Sequence, residues 1–440
     1  MLSLRYTLRL VRAFVARFRS VIFLSIAAGV VLFFIVRILA PLVIPGKSET
    51  IGIVGKYHLE TLPSEILLMI GGGLTKLDAN GIVLPNLAES WETTDKGQTW
   101  IFHLKQDSVW QDGKKVTASS IVYNFSDAQI ERPDENTIIF KLQSPFAPFP
   151  SVVAQPTFKK GLLGTGEWRV VKASVAGSFV QRLTLENKNG ERTILKFYPT
   201  EERAKLAYKL GSVQILKDIY TQTPFDSWKI VKVEENLKRD RVVAVFFNVQ
   251  DKLAGEKTFR QALAYAIDKE KLPGERAYGP LSEDSWAYNP QVKPYAYDQA
   301  RAREFLDDLP DELKENLSVK LVTTPVLLEA AESIVKAWEA VGVKTELQVS
   351  SGIPTEYQAF LAIYDIPKDP DQYAIWHSTQ INSNISKYQN PRIDKLLEDG
   401  RGELAQTERR NIYLDFQRFL VEDSPAIFLY HPVSYTIIRN

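Results

Sequence analysis

The chain has 440 residues, of which 45% are hydrophobic and 24% charged, and this balance is typical of a globular protein with two or three domains. It contains no cysteine, which excludes disulfides, thiolate metal sites, thiol catalysis and a lipid-modified N-terminal cysteine. Residues 1–47 hold seven Lys/Arg and no Asp/Glu, so the remainder carries 47 basic and 53 acidic residues, a net charge of −6. This mildly acidic remainder argues against a polyanion-binding surface, and nucleic acid is set aside as a partner.

The first predicted element is a membrane anchor. Residues 21–36 carry no charge, and the apolar run 38–44 extends them beyond Arg37. A spanning helix needs about 20 mostly apolar residues, and an arginine near its end can reach the interface. The basic side chains that precede this stretch are Arg5, Arg9, Arg12, Arg17 and Arg19.

The positive-inside rule then sets the topology. It predicts a cytoplasmic basic segment 1–20, a single transmembrane anchor 21–45, a linker 46–50 and an extracytoplasmic remainder in the cell membrane. A cleaved signal peptide is the alternative. Its apolar core is usually about 7 to 15 residues long and ends in small residues, a pattern that 37–48 does not offer.

Strands and helices are predicted to alternate from residue 51 onward. A strand at 51–55 and a helix at 64–70 come first. Trp100, Phe102 and Leu104 alternate with less apolar residues, which predicts a strand with one buried face. Thr117 is a plausible N-cap for a helix over 118–125.

The later elements follow the same rules. They comprise a strand at 136–142, a hairpin at 182–199, a helix at 201–210, a buried strand at 241–249, a helix at 259–268, a strand–helix–strand unit within 318–349, two helices beginning near Asn390 and Thr407, and a final strand at 426–438.

No motif predicts catalysis. There is no G-x-S-x-G and no H-E-x-x-H pattern, and the four histidines are scattered without metal-ligand spacing. We therefore predict no catalytic residue, no metal site, no cofactor and no enzymatic activity. Gly71, Gly72 and Gly73 either approach a ligand closely or form a tight turn.

An acidic cluster in the second half is the most suggestive feature. Asp365, Asp369 and Asp371 lie within seven residues, with Lys368 as the basic residue among them. One of these carboxylates could face an ammonium group in a cleft, the set could bind a cation, or the segment could be a solvated loop. Trp376, close by, adds the flat apolar surface that small-ligand sites tend to have.

Several motifs occur in a definite order. The stretch 73–125 is followed by LLGTGEWRVV (162–171), VVAVFFNV (242–249), FRQALAYAIDKEKL (259–272), YDIPKDPDQY (364–373) and SNISKYQNPRIDKLLEDGR (383–401). This order resembles the family 5 extracellular solute-binding proteins, the oligopeptide and dipeptide receptors of ABC importers, over about residues 50–435.

The resemblance implies a fold and partners. It implies an α/β, two-lobed periplasmic-binding-protein-like fold of type II with a central cleft, here preceded by the transmembrane helix. Residues 51–245 and 430–440 are expected to form lobe 1, and residues 246–429 lobe 2. The implied partners are a peptide ligand and ABC permease subunits.

The resemblance also implies ligand contacts. A second-lobe aspartate is expected to pair with the α-ammonium of the peptide. Asp365 lies closest to that place, and Asp369 is the alternative because the spacing is one residue longer than expected. The other residues expected at the cleft are Trp376, His377, Asn384 and Tyr388 from lobe 2, and Gly72 and Gly73 from lobe 1.

Two departures from the family pattern bear on function. The segment 125–164 is short, which predicts a reduced cleft wall, and a spanning helix stands in place of a lipidated cysteine. Two alternatives stay open: a membrane-tethered sensor or scaffold with the same fold, and, because members of the family differ in ligand, a receptor for a sugar, a nickel complex or another non-peptide solute. A hydrolase would need a nucleophile or metal site that the sequence does not offer.

Overall fold

The computed structural model describes residues 15–21, 23–25, 28–30 and 48–439. Residues 15–21, 23–25 and 28–30 are helical and exposed. Most of the cytoplasmic segment 1–20 and most of the anchor 21–45 lie outside the described residues. Within the described residues, none of the helices combines the length with the apolar character that crossing a membrane requires.

Nineteen strands occur in the described part of the chain. They are β1 (Ser48–Val54), β2 (Thr75–Leu77), β3 (Val83–Pro85), β4 (Ala88–Thr93), β5 (Thr99–Leu104), β6 (Ala128–Glu131), β7 (Thr137–Leu142), β8 (Trp168–Ala176), β9 (Phe179–Asn187), β10 (Arg192–Tyr198), β11 (Ile215–Ile219), β12 (Val231–Leu237), β13 (Arg241–Phe247), β14 (Glu275–Arg276), β15 (Ser318–Thr323), β16 (Lys344–Val349), β17 (Ala359–Asp365), β18 (Ala426–His431) and β19 (Val433–Arg439).

Ten α-helices accompany them between residues 48 and 439. They are α1 (Ser64–Ile70), α2 (Phe149–Val152), α3 (Glu201–Lys209), α4 (Lys257–Ala266), α5 (Gln299–Asp307), α6 (Asp311–Lys314), α7 (Leu328–Glu339), α8 (Tyr373–Trp376), α9 (Pro391–Gly402) and α10 (Gln406–Asp423).

The strands form two large sheets. A seven-stranded sheet has the order β12-β19-β11-β1-β10-β9-β8, and a six-stranded sheet has the order β14-β18-β13-β17-β15-β16. A smaller sheet, β4-β5-β7-β6, has its own apolar core around Phe102, Phe140 and Trp110. We call residues 48–237 with 433–439 the first lobe, and residues 241–431 the second lobe.

Two short connections join the lobes. Residues 238–240 lead from β12 to β13, and Pro432 alone separates β18 from β19. The boundaries expected at 245/246 and 429/430 would cut β13 and β18, each of which lies wholly in the six-stranded sheet. The single strand expected at 426–438 is two strands, one in each lobe, because proline interrupts the pairing at residue 432.

Most elements with a clear period are confirmed. Trp100, Phe102 and Leu104 are buried on β5, and β9 and β10 form the expected hairpin. β15, α7 and β16 form the expected unit with parallel strands. The Asn390 carboxamide caps α9 by accepting from Arg392 N at 2.9 Å.

The helix expected at 118–125 is wrong. Only a 3-10 turn at Ala118–Ser120 forms, and the chain then continues without helix. Thr157 pairs through its hydroxyl with both the N–H and the C=O of Val122, and Arg132 donates to the carbonyls of Ala118 and Ile121. These distant side chains satisfy backbone groups that a helix would otherwise have paired.

Candidate functional site

The two lobes meet through an ion pair beside the connection at 238–240. Arg241, the first residue of β13, lies 3.0 Å from Asp218 Oδ2 through its Nη1 and donates to the Tyr220 hydroxyl at 2.6 Å. Asp218 and Tyr220 lie at the end of β11 in the first lobe, and Lys238 Nζ lies 3.0 Å from Asp218 Oδ1. The second lobe is thus tied to the first by one guanidinium shared between a carboxylate and a phenol.

Asp365 joins this group from the end of β17. The antiparallel pairing of β13 with β17 sets Asp365 opposite Arg241, and Arg241 Nε lies 3.2 Å from Asp365 Oδ1. The Asp365 side chain is nevertheless 87% exposed. Its carboxylate therefore has one cationic neighbour and an open side available to a second.

Electrostatics keep the neighbouring groups in defined states. Burial raises the pKa of Asp218, but Arg241, Ser434 and Lys238 lower it more, so that the pKa lies below its usual value. Burial raises the pKa of Tyr220 to about 12, against the lowering effect of Arg241. Near neutral pH, Asp218 is thus a carboxylate and Tyr220 a neutral phenol.

Tyr57 belongs to the same region of the first lobe. Burial raises the pKa of Tyr57, Arg241 lowers it, and the charges of Asp218 and Asp365 raise it again. The Tyr57 hydroxyl donates to Val54 O at 3.0 Å. An aromatic side chain of the first lobe thus lies within electrostatic reach of the exposed carboxylate of the second.

The lobes also touch through two loops of the first lobe, the β2–β3 turn and the segment after β7. Ala147 N donates to Arg401 O at 2.6 Å, and Trp286 N donates to Asn80 O at 3.3 Å. Gly81, with φ +85°, lies so close to the second lobe that a Cβ would come within 2.3 Å of Lys368 O. Since Ala147 belongs to the short segment 125–164, this segment reaches the second lobe despite its length.

Two cavities lie inside single lobes. One of about 470 Å³ lies within the first lobe, where Gln111, Lys160 and Arg169 are among its lining residues. A much smaller one, of about 10 Å³, lies within the second lobe beside Lys269. Neither of these cavities joins the two lobes.

The other two aspartates of the acidic cluster are engaged inside the second lobe. Arg409 donates to both oxygens of Asp369, at 2.8 and 2.5 Å, and the two side chains are only 8% and 13% exposed. Arg401 Nε lies 2.9 Å from Asp371 Oδ2. Asp369, the alternative ligand contact, already holds a bidentate partner.

Four further residues expected at the cleft are buried within the second lobe. Trp376 stacks on Phe246, and its indole N–H donates to Gln372 Oε1 at 2.8 Å. His377 Nδ1 lies 2.8 Å from the Thr379 hydroxyl, and its Nε2 lies 3.4 Å from Glu398 Oε1.

Asn384 and Tyr388 are linked to each other. Asn384 Nδ2 donates to Tyr388 O at 2.8 Å, and the Tyr388 hydroxyl donates to Asp423 Oδ2 at 2.6 Å. Together with Trp376 and His377, they pack the segment 373–390 onto the second lobe. The structure therefore places all four side chains inside that lobe.

The glycines of the first lobe face their own lobe. A Cβ on Gly72 would come within 2.4 Å of Asn86 Nδ2, and one on Gly73 within 2.3 Å of Val153 O. Asn86 in turn donates to Gly73 O at 2.9 Å. Backbone packing inside the first lobe requires glycine at position 73, whereas a side chain at position 72 would have to displace the Asn86 carboxamide.

The structure thus brings Asp365 together with residues that the sequence analysis missed, namely Tyr57, Asp218, Tyr220, Lys238 and Arg241. One sequence signal exists, because a charged residue heads the otherwise apolar run of β13. The remaining contacts depend on strand pairing between distant segments. Within residues 48–439 and the short helical stretches before them, no three His, Asp or Glu side chains are grouped as metal ligands.

Comparisons with known proteins agree with this architecture. The model of the bacterial extracellular solute-binding proteins, family 5 (middle region), matches residues 83–383. The dipeptide-binding protein of Escherichia coli (strain K12) is 22% identical over 448 residues, which cover 81% of this chain and 82% of that protein.

Two solved structures share the fold. NikZ from Campylobacter jejuni in complex with Ni(L-His) has a TM-score of 0.73 at 21% identity, over 90% of this chain and 95% of that one. AppA from Bacillus subtilis in complex with a nonapeptide has a TM-score of 0.70 at 21% identity, with the same coverage. The α/β periplasmic-binding-protein-like fold is therefore confirmed for the part that follows residue 48. Since the family model covers more than half of the chain, the chain belongs to the bacterial extracellular solute-binding proteins of family 5.

Proposed function

We propose that the protein is an extracytoplasmic solute-binding protein of an ABC importer that captures peptides between its two lobes. The observation that carries this proposal is the state of Asp365. It is the exposed member of the acidic cluster and lies where the lobes meet, with Arg241 on one side only, whereas Asp369 and Asp371 are largely buried against arginines of the second lobe. Family membership and relatives named for peptide binding give the substrate class.

The mechanism follows from hinge closure between two lobes. In an open form the α-ammonium of a peptide meets Asp365, and closure then brings Tyr57 and Tyr220 toward it. A carboxylate that meets an ammonium away from bulk water makes a stronger hydrogen bond than a surface pair does. Binding of this kind needs no catalytic group, which agrees with a non-enzymatic role.

The membrane attachment is part of the same proposal. Its support is the uncharged stretch at 21–36, its extension to residue 44, and the arginines before it. We propose that residues 21–45 hold the protein in the cell membrane, with residues 1–20 in the cytoplasm and both lobes outside. An ABC permease is then the partner that receives the peptide.

One observation favours a second candidate, a non-peptide solute. NikZ, which shares the fold at a TM-score of 0.73, is bound to Ni(L-His). An exposed carboxylate next to a guanidinium could also recognise a small zwitterion. The experiment must therefore separate peptide ligands from small complexes.

Thermal unfolding of the full chain in detergent, followed by tryptophan fluorescence, tests the proposal. The ligands are pools of di- to hexapeptides, with the same pools N-acetylated as the matched control, and with sugars, metal ions and Ni(L-His) alongside. A ligand at a hundred times its Kd adds about 2.7 kcal/mol to the free energy of unfolding. We expect a shift with free peptides that acetylation abolishes.

The other outcomes point elsewhere. A shift with Ni(L-His) or a sugar alone supports the non-peptide receptor. A shift with both free and acetylated peptides removes the α-ammonium role of Asp365. No shift with any ligand supports the membrane-tethered sensor or scaffold.

A further inference from the structure

The seven-stranded sheet has one end at which the described chain emerges from the N-terminal region. β1 begins there with Ser48, which pairs with Arg192 on β10. Arg192 pairs with Glu186 on β9, and Glu186 pairs with Arg169 on β8. These four paired residues mark the end of the sheet on one side of β1. The β9–β10 turn projects beyond them and carries Lys188, which is exposed.

The same end continues on the other side of β1. Helix α3 follows β10 and runs back along the sheet, so that it ends at Lys209 and Leu210 near the start of β1. The Arg439 side chain donates to Tyr208 O at the end of this helix, and Arg439 pairs with Val231 on β12. Ile230 and Lys229 immediately precede β12 and therefore lie at this end too.

Three large aliphatic side chains are exposed at or next to this end. Leu210 is 73% exposed and Ile230 is 60% exposed, and Leu206 lies one helical turn before Leu210 with 55% exposure. Single exposed aliphatic residues are ordinary in soluble proteins. Here they share one end of a sheet with exposed lysines, a composition typical of surfaces that lie in a membrane interface.

The charge at this end is also favourable for an anionic surface. Glu186 is paired with both Arg169 and Arg192, at 2.5 and 3.0 Å, so these three side chains together carry one positive charge. Glu49 near the start of β1, Glu167 before β8 and Glu191 in the β9–β10 turn contribute three negative charges at this end. Lys188, Lys209, Lys229 and Arg439 add four positive charges, so the end is basic on balance. Residues 48–440 as a whole carry a net charge of −6, so an anionic surface would repel most other faces of the two lobes.

The distance to the membrane is set by the chain. If the anchor ends at residue 45, three residue steps lead to Ser48, and an extended chain covers at most about 11 Å in that length. The polar layer on each side of a bilayer is roughly 5 to 8 Å thick. The end of the sheet is therefore held at the level of the lipid headgroups or just above them.

We propose that Lys188, Lys209, Leu210, Lys229 and Ile230, which we call the anchor-proximal end, rest on the anionic surface of the membrane. This inference relies on the anchor in the proposed function. The lysines contact acidic headgroups, and Leu210 and Ile230 enter the interface between them. Seating in this way places the cleft at the far end of β1, where it is open to solvent.

The absence of cysteine allows a direct test with the full chain. Leu210→Cys and Ile230→Cys are labelled with an environment-sensitive fluorophore and reconstituted in nanodiscs of phosphatidylcholine, with or without phosphatidylglycerol. Ile381→Cys, on an 85% exposed residue of the second lobe, is the matched control. We expect a blue shift and a loss of quenching by a water-soluble quencher at 210 and 230, stronger with the anionic lipid, and no change at 381.

A second variant tests the lysines. Lys188→Glu, Lys209→Glu and Lys229→Glu combined should abolish the lipid-dependent protection while leaving the thermal unfolding midpoint in detergent unchanged. If positions 210 and 230 stay as accessible as 381 in both lipids, the seating is refuted. Protection that needs added permease, or that persists in the triple variant, refutes the lipid headgroup as the partner.

Flotation of the unlabelled chain with lipid vesicles separates this inference from the anchor. A chain that does not float removes the anchor, and the seating with it. A chain that floats but shows no protection at 210 or 230 removes only the seating. Peptide binding in the thermal experiment is independent of both outcomes.

Discussion

The end of β17 and the loop that follows it carry the same type of residue in opposite settings. Asp365 terminates the strand with an 87% exposed side chain and one guanidinium beside it. Asp369, four residues later, is 13% exposed and is held at both oxygens by a guanidinium that is itself buried. One carboxylate is available to a ligand, and the other stabilises the lobe that presents it.

The difference shows why an acidic cluster cannot be interpreted as a unit. A buried pair is costly to break because removal of one partner leaves a charge without compensation. An exposed pair adds little to stability because water and salt screen it. Stability and binding measurements on single variants can separate these two roles, and the largest effect is expected at the buried pair.

Asp369→Ala should lower the free energy of unfolding by about 3 to 5 kcal/mol, since it leaves the Arg409 guanidinium buried and unpaired. Urea unfolding measures the change. Asp365→Ala is the matched control and should cost less than about 1 kcal/mol. Equal costs for the two variants would contradict the contrast.

Asp365→Ala should weaken peptide binding by about 2 kcal/mol or more, roughly a 30-fold rise in Kd, because the ligand ammonium loses its carboxylate. Isothermal titration with a peptide from the thermal screen measures it. Asp311→Ala, on a 99% exposed second-lobe aspartate paired with Lys314, is the control and should bind as the wild type does. An unchanged Kd for Asp365→Ala would remove its role.

Asp218→Asn should reduce, by about 1 kcal/mol, the free energy of unfolding that the protein loses between pH 6 and pH 2. The pKa of Asp218 is lower in the folded state than its usual value, so its ionised form stabilises the fold above about pH 4. That stabilisation is lost as the pH falls through the folded-state pKa. Urea unfolding between pH 2 and 6, with Asp311→Asn as control, should show a smaller decrease at low pH only for Asp218→Asn.

Salt should act on only one of the two pairs. The Debye length falls from about 30 Å at 0.01 M salt to about 3 Å at 1 M. Asp365→Ala should cost less than about 1 kcal/mol of stability at low salt and nothing at 1 M salt. The larger cost of Asp369→Ala should stay the same over this range. A salt-sensitive cost for Asp369→Ala would mean that its pair with Arg409 is open to water.

The elements with a strong period could be predicted from the sequence, because local burial decides them. Alternation at Trp100, Phe102 and Leu104 defined a strand, and the parallel unit around α7 followed from its apolar pattern. The helix expected at 118–125 failed because Thr157 and Arg132 pair its backbone from outside the segment. Propensity and capping patterns carry no information about such partners.

The site depends still more on distant partners. Arg409 lies 40 positions after Asp369, and Arg241 meets Asp365 only through the register of β13 with β17. Gly72 and Gly73 could equally have served a ligand, and only the position of Val153 and Asn86 shows what they pack against. Membrane attachment is the converse case, since the sequence alone predicts it and most of residues 21–45 lie outside the described part.

The two strands on either side of Pro432 have a consequence for the order in which the protein can fold. β19 lies between β11 and β12, and β18 lies between β13 and β14, so both sheets have an internal gap until residues 426–439 arrive. β12 has β19 as its neighbour in the sheet and cannot be added before it. During synthesis, neither lobe can complete its sheet until this segment has emerged, so the two lobes reach their final strand order together and late.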